Sequence, residues 1–394
     1  MEGLYLEKKK KYWKCYELEG HTGEATMITL DWEKKDFFTN MCQDMITLLK
    51  EDALPIVVWG DTTEELFMPF FEKAGLTIDN LCDKRDVERK IGKDGRKKIS
   101  IQPDEVDELY TNHNYNAVIL VPYPKRIKDE INLFWHKPKR IFYLDIAKLH
   151  LHPKLFNKPD PRRFLENKER LERVETFLED EESKIVLQNI LNYWISGDYS
   201  LVKEYAERQS GQYLDVLVFE KNEVFLNIGA CDGRYTKRFI NQVGGGYQAI
   251  YNLECDEINF ERMKEELCEY KQCYFIRKGA WDVTGRLKFS ADGNAGSYIG
   301  EEGKSEIEVD TVDNMFENIP VSFIKADIEG AEYKMLLGAQ NTIRKNKPKL
   351  AICCYHQMED LIEIPLLIKE MNPDYKIKIR HYTDTLTETV CYAY

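Results

Sequence analysis

Apolar positions along the chain follow two alternating rhythms. Short unbroken apolar runs, of the kind that form strands buried on both faces, alternate with stretches whose apolar side chains return every three or four residues, the spacing of one helix face. Residues 36–49 predict a helix with Phe38, Met41, Met45 and Leu48 on one side, and 25–31 reads as a short strand before it. From 53 to 148 the pattern runs strand (55–59), helix (64–74, stopped by Gly75), strand (76–82), strand (116–122), helix (125–134) and strand (140–145). Such alternation implies a parallel sheet covered by helices, here a small Rossmann-like α/β domain over residues 1–150.

Residues 151–212 are strongly charged and helical by pattern. Leu165, Leu171, Val174, Phe177 and Leu178 recur at helical steps, then Ile185, Leu187, Ile190, Leu191 and Trp194. They predict a helical connector. Ser196-Gly197-Asp198 breaks it, and a last helix is expected over 198–208. A second α/β domain is expected over 213–394, with strands at 223–228, 249–253, 274–277, 321–326 and 350–355. Two closing strands, 375–381 and 388–392, are joined by a tight polar turn. A terminal antiparallel hairpin on a parallel sheet fits the methyltransferase version of the Rossmann sheet better than a dinucleotide domain.

Composition narrows the function classes. The 394 residues carry a net charge of −13, which speaks against general affinity for nucleic-acid backbones. Basic runs at 8–11 and 96–98 read as solvated surface. No membrane span and no signal peptide are expected. The ten cysteines form no CxxC pair and suit free thiols in a reducing cytoplasm.

The chemistry concentrates in the second domain. The first strand runs into Gly229-Ala230-Cys231-Asp232-Gly233 and then a helix. Glycines at this turn allow a tight bend and bring a ligand against backbone amides at the helix N-terminus. The next strand ends at Glu254, placed to accept from ribose hydroxyls, with Asp256 and Asn259 following. Glu254 as a plain surface cap is the alternative. The loop after the third strand, Lys278-Gly279-Ala280-Trp281-Asp282, lies where an adenine ring would sit. There Ala280 and Trp281 offer contacts and Asp282 an acceptor for an exocyclic amine. The fourth strand delivers Lys325, Asp327 and Glu329 to its carboxyl end, Gly330 turns the chain, and Glu332 opens the next helix, where its charge suits the dipole. The fifth strand delivers His356 to the same edge.

These motifs resemble the FkbM family of methyltransferases: Phe225–Gly233, Leu253–Asp256 with Asn259, Val309–Asp313, Phe323–Glu332, Leu337–Ala339 and Tyr355–His356. The resemblance covers residues 223–394. It implies S-adenosylmethionine as methyl donor and, commonly, a hydroxyl of a sugar or natural product as acceptor. Asn227 departs from it, standing where the first strand usually ends in an acid. An amide there can orient the loop or hold the methionine amine, without charge.

The expected cofactor-binding residues are thus Asn227, Gly229, Ala230, Gly233, Glu254, Asp256, Ala280, Trp281, Asp282 and Asp327. Asp327 and His356 are the candidate bases, and Lys325 steadies developing negative charge. Asp327, Glu329 and His356 are also the candidate ligands of a divalent metal. The leading expectation is O-methylation of a sugar hydroxyl in a glycan or glycoconjugate, with glycan-assembly enzymes or a glycosylated protein as partners. The variant is N-methylation of an aminosugar or amino-acid amine. The rivals are an NAD-dependent sugar oxidoreductase or epimerase using the first half, and a first half that docks a glycan or a partner. The loop at Gly60 has one glycine and three acids, which disfavours a pyrophosphate. Residues 283–309 read as an acceptor lid or as a solvated hairpin.

Overall fold

The computed structural model describes residues 28–60, 64–82, 100–101, 103, 105–121, 131, 135–146, 149, 160–291, 293, 296–301 and 303–394. The strand expected at 25–31 falls partly outside these residues, as do the Gly60 loop and the loop 293–297. The basic runs and all but one residue of the expected helix 125–134 lie outside them. The chain divides into two compact units. The first takes the residues up to Glu166 with Asn189–Ala206 and Thr383–Leu386; the second takes Asn167–Gln188, Glu207–Tyr382 and Thr387–Tyr394. The stretch read as a connector is therefore shared between both units.

The first unit contains α1 (Phe37–Asp52), β1 (Ile56–Trp59), α2 (Glu64–Ala74), β2 (Asn80–Cys82), β3 (Ser100–Ile101), α3 (Glu105–Leu109), β4 (Asn116–Val121), β5 (Arg140–Asp145) and α4 (Arg162–Glu166). Its sheet is parallel throughout, in the order β3-β2-β1-β4-β5. Val57, Val58 and Ala117–Ile119 are fully buried, as continuous apolar strands in a two-sided sheet should be. The second strand is shorter than its apolar run suggests. Asp79 takes the amide of Ile56 on its Oδ2 at 2.8 Å, and pairing begins only beyond it. The helix expected over 198–208 is instead a pair of 3-10 segments, Tyr199–Leu201 and Lys203–Gly211. Asp198 accepts from the amide and the hydroxyl of Ser200, and that local bonding competes with an α turn.

The second unit begins with α5 (Lys168–Phe177) and the first half of α6 (Glu181–Ser196). It continues with β6 (Val224–Ile228), α7 (Arg234–Gln242), β7 (Ala249–Leu253), α8 (Glu257–Leu267), β8 (Cys273–Ile276), β9 (Gly279–Ala280), β10 (Gly285–Ser290), β11 (Tyr298–Ile299), β12 (Ser305–Asp310) and α9 (Val312–Met315). Then come β13 (Phe323–Ala326), α10 (Glu332–Leu337), α11 (Gln340–Asn346), β14 (Lys349–Cys353), α12 (Asp360–Met371), β15 (Ile377–His381) and β16 (Thr389–Ala393).

Seven strands form one sheet in the order β15-β16-β14-β13-β6-β7-β8. β16 runs antiparallel to both neighbours, so the terminal hairpin closes the sheet as its pattern predicts. The order reverses at β6, and the carboxyl ends of β6, β7, β13 and β14 share one edge. In open α/β sheets that edge holds the ligand. In the region expected as a lid or hairpin, β10 pairs antiparallel with β12 and with β11 in a separate four-stranded sheet.

On one face of the large sheet, Phe225 of β6 and Phe323 of β13 stack at 4.5 Å, and Phe239 of α7 closes on Phe225 at 4.7 Å. On the other, α12 buries Leu361, Ile364, Leu367 and Ile368, and Arg170 of α5 clasps Glu363 at 2.5 and 2.7 Å. Phe323→Ala should destabilise the second unit by about 3–5 kcal/mol, because the stacked rings leave a cavity that rigid strands cannot collapse. Denaturant unfolding followed by tryptophan fluorescence would read the loss.

Candidate active site

The turn after β6 is shaped by contact with β13. Gly229 has φ +72°, and a Cβ there would fall 1.9 Å from the carbonyl oxygen of Asp327. Gly233, at φ +79°, faces Leu267 and Met263 of α8, where a Cβ would meet Leu267 at 2.8 Å. Both glycines are thus required by packing, whatever the ligand. The backbone amides of the turn are also committed. Gly229 and Ala230 donate to the Leu253 carbonyl at 3.0 Å, Cys231 to Glu254 Oε2 at 2.8 Å, and Gly233 to the Ala230 carbonyl at 2.9 Å. These four amides are thus bonded within the turn and to the end of β7. No anion-binding nest of the dinucleotide kind is left in these bonds.

Asn227 is fully buried. Its Nδ2 donates to Thr236 of α7 at 3.0 Å and to Asn252 of β7 at 3.5 Å, while its Oδ1 has no hydrogen-bond partner among the described residues. It ties the turn to the following helix. Glu254 stands at the tip of β7, nearly buried, accepting from Cys231 and Asp256 amides. Burial raises its pKa above the usual value, against the pull of those amides. Asp256 is the N-cap of α8. Oδ1 accepts from Ile258 and Asn259, and Oδ2 from Gly293 and the Ser297 hydroxyl, so its carboxylate fastens the hairpin loop. Ala280 is buried on β9, and Trp281 beside it is half-buried with its amide on the Asp310 carbonyl. Asp282 pairs with Lys334 at 2.8 Å.

Lys325 is 1 % exposed. Its ammonium donates to the Gly229 carbonyl at 2.8 Å and lies over the rings of Tyr213 and Tyr235, at 5.2 and 5.4 Å. It joins β13 to the β6 turn. Asp327 accepts from the hydroxyls of Tyr213 at 2.8 Å and Tyr355 at 3.1 Å. Burial works against its charge, but Lys325, His356 and the Tyr213 hydroxyl outweigh it and hold the carboxyl below its usual value.

His356, just beyond β14, faces three carboxylates: Glu332 Oε1 lies 3.0 Å from Nδ1, and Glu329 Oε2 and Asp327 Oδ1 lie 3.5 and 3.6 Å from Nε2. Burial disfavours the charged ring, yet these carboxylates prevail and keep its pKa well above the usual value. An imidazole already holding its proton is not a free base, so of the two expected bases Asp327 is the one left ionised. Glu332, read as a first-turn residue, also closes the turn before it by accepting from Ile328 and Gly330 at 2.7 and 3.0 Å.

The sequence did not flag Tyr213, Tyr235, Glu388 or Asp360. Glu388 accepts from Gln212, and burial and the charge of Asp327 push its carboxyl up to about 7. Asp360 opens α12; burial and Glu332 push its carboxyl up to about 7 as well. Position in the chain carries no signal for any of these. Only Tyr355 stood within a motif.

Two outcomes follow. Gly229→Ala should cost more than about 2 kcal/mol, since the left-handed backbone and the Asp327 carbonyl both oppose a methyl group; thermal unfolding would show it. Asp360 binds its proton more tightly folded than unfolded. The stability this contributes is present below the unfolded pKa and is lost as pH rises through about 7. Asp360→Asn should therefore gain stability relative to the parent as pH rises from 4 to 8, which melting curves across that range would detect.

The family model of the methyltransferase FkbM domain matches residues 227–375. A crystal structure of methyltransferase FkbM from Methylobacillus flagellatus KT aligns with a TM-score of 0.64 and 22 % identity, over 92 % of this chain and 100 % of that one. Aeropyrum pernix fibrillarin, solved with natively bound S-adenosyl-L-methionine, aligns at 0.32 and 10 % identity, over 48 % of this chain and 73 % of that one. An rRNA methylase from Streptococcus thermophilus aligns at 0.29 and 12 % identity, over 45 % of this chain and 87 % of that one. Among curated proteins none matches. The first of these structural likenesses shows the fold. Among the described residues, no helix is long and apolar enough to cross a membrane. Residues 227–375 thus match the methyltransferase FkbM domain, and the chain is a methyltransferase.

Proposed function

We propose that the second unit binds S-adenosylmethionine at the carboxyl edge of β6, β7 and β13 and methylates a hydroxyl of a sugar, within a glycan or glycoconjugate. One observation carries the cofactor reading. The edge offers acceptors, Glu254 and Asp327, while the amides of the β6 turn are consumed by Leu253 and Glu254. A sulfonium ligand with an ammonium and ribose hydroxyls suits such an edge; a pyrophosphate needs amide donors, and these four are already bonded. S-adenosylmethionine supplies, when bound, a methyl group already activated on sulfur.

Each residue then has a task. Glu254 keeps lone pairs free for ribose hydroxyls, and Ala280 with Trp281 borders the adenine. Asn227 and Lys325 hold the turn, and Asp256 fastens the loop beside it. A hydroxyl attacks poorly while it keeps its proton. Asp327, ionised at the end of β13, takes that proton, and Lys325 and protonated His356 steady the charge around it. The acceptor class rests on the family resemblance, and the carboxylates and tyrosine hydroxyls of this edge are partners that a polyol can use. An amine acceptor is the second reading, favoured by the same excess of carboxylates. We further propose that the first unit docks the glycan or a partner enzyme, and that the enzyme works in a reducing cytoplasm.

Calorimetry with S-adenosylmethionine should show saturable binding that Glu254→Ala weakens tenfold or more, about 1.4 kcal/mol. Absence of binding to the intact chain would sink the cofactor reading. Labelled methyl donor offered to panels of sugars and aminosugars should label oxygen; label on nitrogen would transfer the case to the amine.

A further inference from the structure

Three of the groups around His356 are arranged as metal donors. Asp327 and Glu329 come from the end of β13 and His356 from the end of β14, and their donor atoms all lie within 4.8 Å of one another. The two nitrogen–oxygen separations, 3.5 and 3.6 Å, are close to the value of about 3.4 Å that donors about 2.1 Å from a shared ion would show.

A cluster of acids alone would signify little, since acids at a ligand edge have other uses. The imidazole adds an independent observation. The His356 side chain is 8 % exposed, and neither ring nitrogen makes a hydrogen bond of acceptable geometry among the described residues. Nδ1 lies 3.0 Å from Glu332 Oε1, and Nε2 lies 3.5 and 3.6 Å from Glu329 Oε2 and Asp327 Oδ1. A buried ring whose far nitrogen faces a carboxylate, and whose near nitrogen faces two more, is the carboxylate–histidine–metal arrangement. Glu332 fits its part, for it is fully buried and fixed by the Ile328 and Gly330 amides. Asp327 is likewise held in place by Tyr213 and Tyr355.

We propose that Asp327, Glu329 and His356 bind one divalent cation of the Mn²⁺ or Zn²⁺ class, with Glu332 as the residue that orients His356. Two carboxylates and one imidazole suit such ions better than Ca²⁺ or Mg²⁺, which prefer oxygen donors throughout. Three protein ligands leave coordination positions for water or an acceptor oxygen, and an ion there would polarise that oxygen. The ring binds as neutral imidazole, so the ion displaces the His356 proton and takes over its part in steadying charge beside Asp327. This use of the ion rests on the reading of the edge as a methyl-transfer site; binding of the ion does not.

The test uses the full chain, stripped with chelator and dialysed. Added Mn²⁺ is followed by loss of its free-ion electron paramagnetic resonance signal, and Zn²⁺ by competition. The expected result is saturable uptake of about one ion per chain, weakened tenfold or more in Glu329→Gln and in His356→Ala, and about 10–100-fold in Glu332→Gln. Glu329 is the most exposed of the three ligands, so Glu329→Gln keeps the test sound should His356→Ala fail to fold. No saturable uptake, or uptake unchanged in Glu329→Gln, would overturn the proposal. Calorimetry with S-adenosylmethionine on the same samples separates the two readings. Cofactor binding without metal uptake removes only the ion, and metal uptake without cofactor binding removes only the methyl-transfer assignment.

Discussion

The second unit depends on how closely the β6 turn approaches the end of β13. Gly229 lies so near the Asp327 carbonyl that no side chain fits between them. Lys325 then spans the same gap from below and donates to the Gly229 carbonyl. A lysine this deeply buried is costly unless its charge is answered. Here a carbonyl, two tyrosine rings and the neighbouring Asp327 answer it. The turn after β6 and the strand end that bears Asp327 are therefore held as one piece. Preorganisation of that kind is what a transfer reaction between two bound molecules requires.

The electrostatics of the edge follow from the same compression. Asp327 and Glu388 feel the positive charge of Lys325 and His356, and Glu329 and Glu332 face His356 as well. The mutual cost is spread unevenly. Asp327, drawn down by Lys325 and His356 and donated to by two hydroxyls, stays ionised, whereas Glu388 and Asp360 retain their protons to near neutrality. His356 is driven the other way by the carboxylates that enclose it. One edge thus holds carboxyls at opposite ends of their range, and that separation divides the roles among otherwise similar groups.

Much of the fold was legible before any coordinates. Strands buried on both faces read as apolar runs, so β4, β5, β7 and the closing hairpin lie close to where their patterns put them. The misses have local causes. Asp79 delays β2 by taking the Ile56 amide, and Asp198 with Ser200 converts an expected helix into 3-10 turns. In the site, residues at strand tips were legible because an α/β sheet aims its tips at the ligand. Tyr213 and Glu388 were not, since the first reaches Asp327 from a segment before β6 and the second from the start of β16.

The sequence by itself determined which strands exist, that the second half is a methyltransferase sheet, and that Glu254, Asp327, Glu329 and His356 end on one edge. It could do so because hydrophobic period and glycine placement are local properties of the chain. Only the tertiary structure decided what those residues are once there. It spent the glycine-turn amides on Leu253 and Glu254, placed Asn227 under α7, and gave the proton to His356 rather than leaving it a free base. Those outcomes depend on burial and on charges brought together from distant segments. The energy of such a charge is set by everything packed within a few ångströms of it, and no local pattern encodes that surrounding.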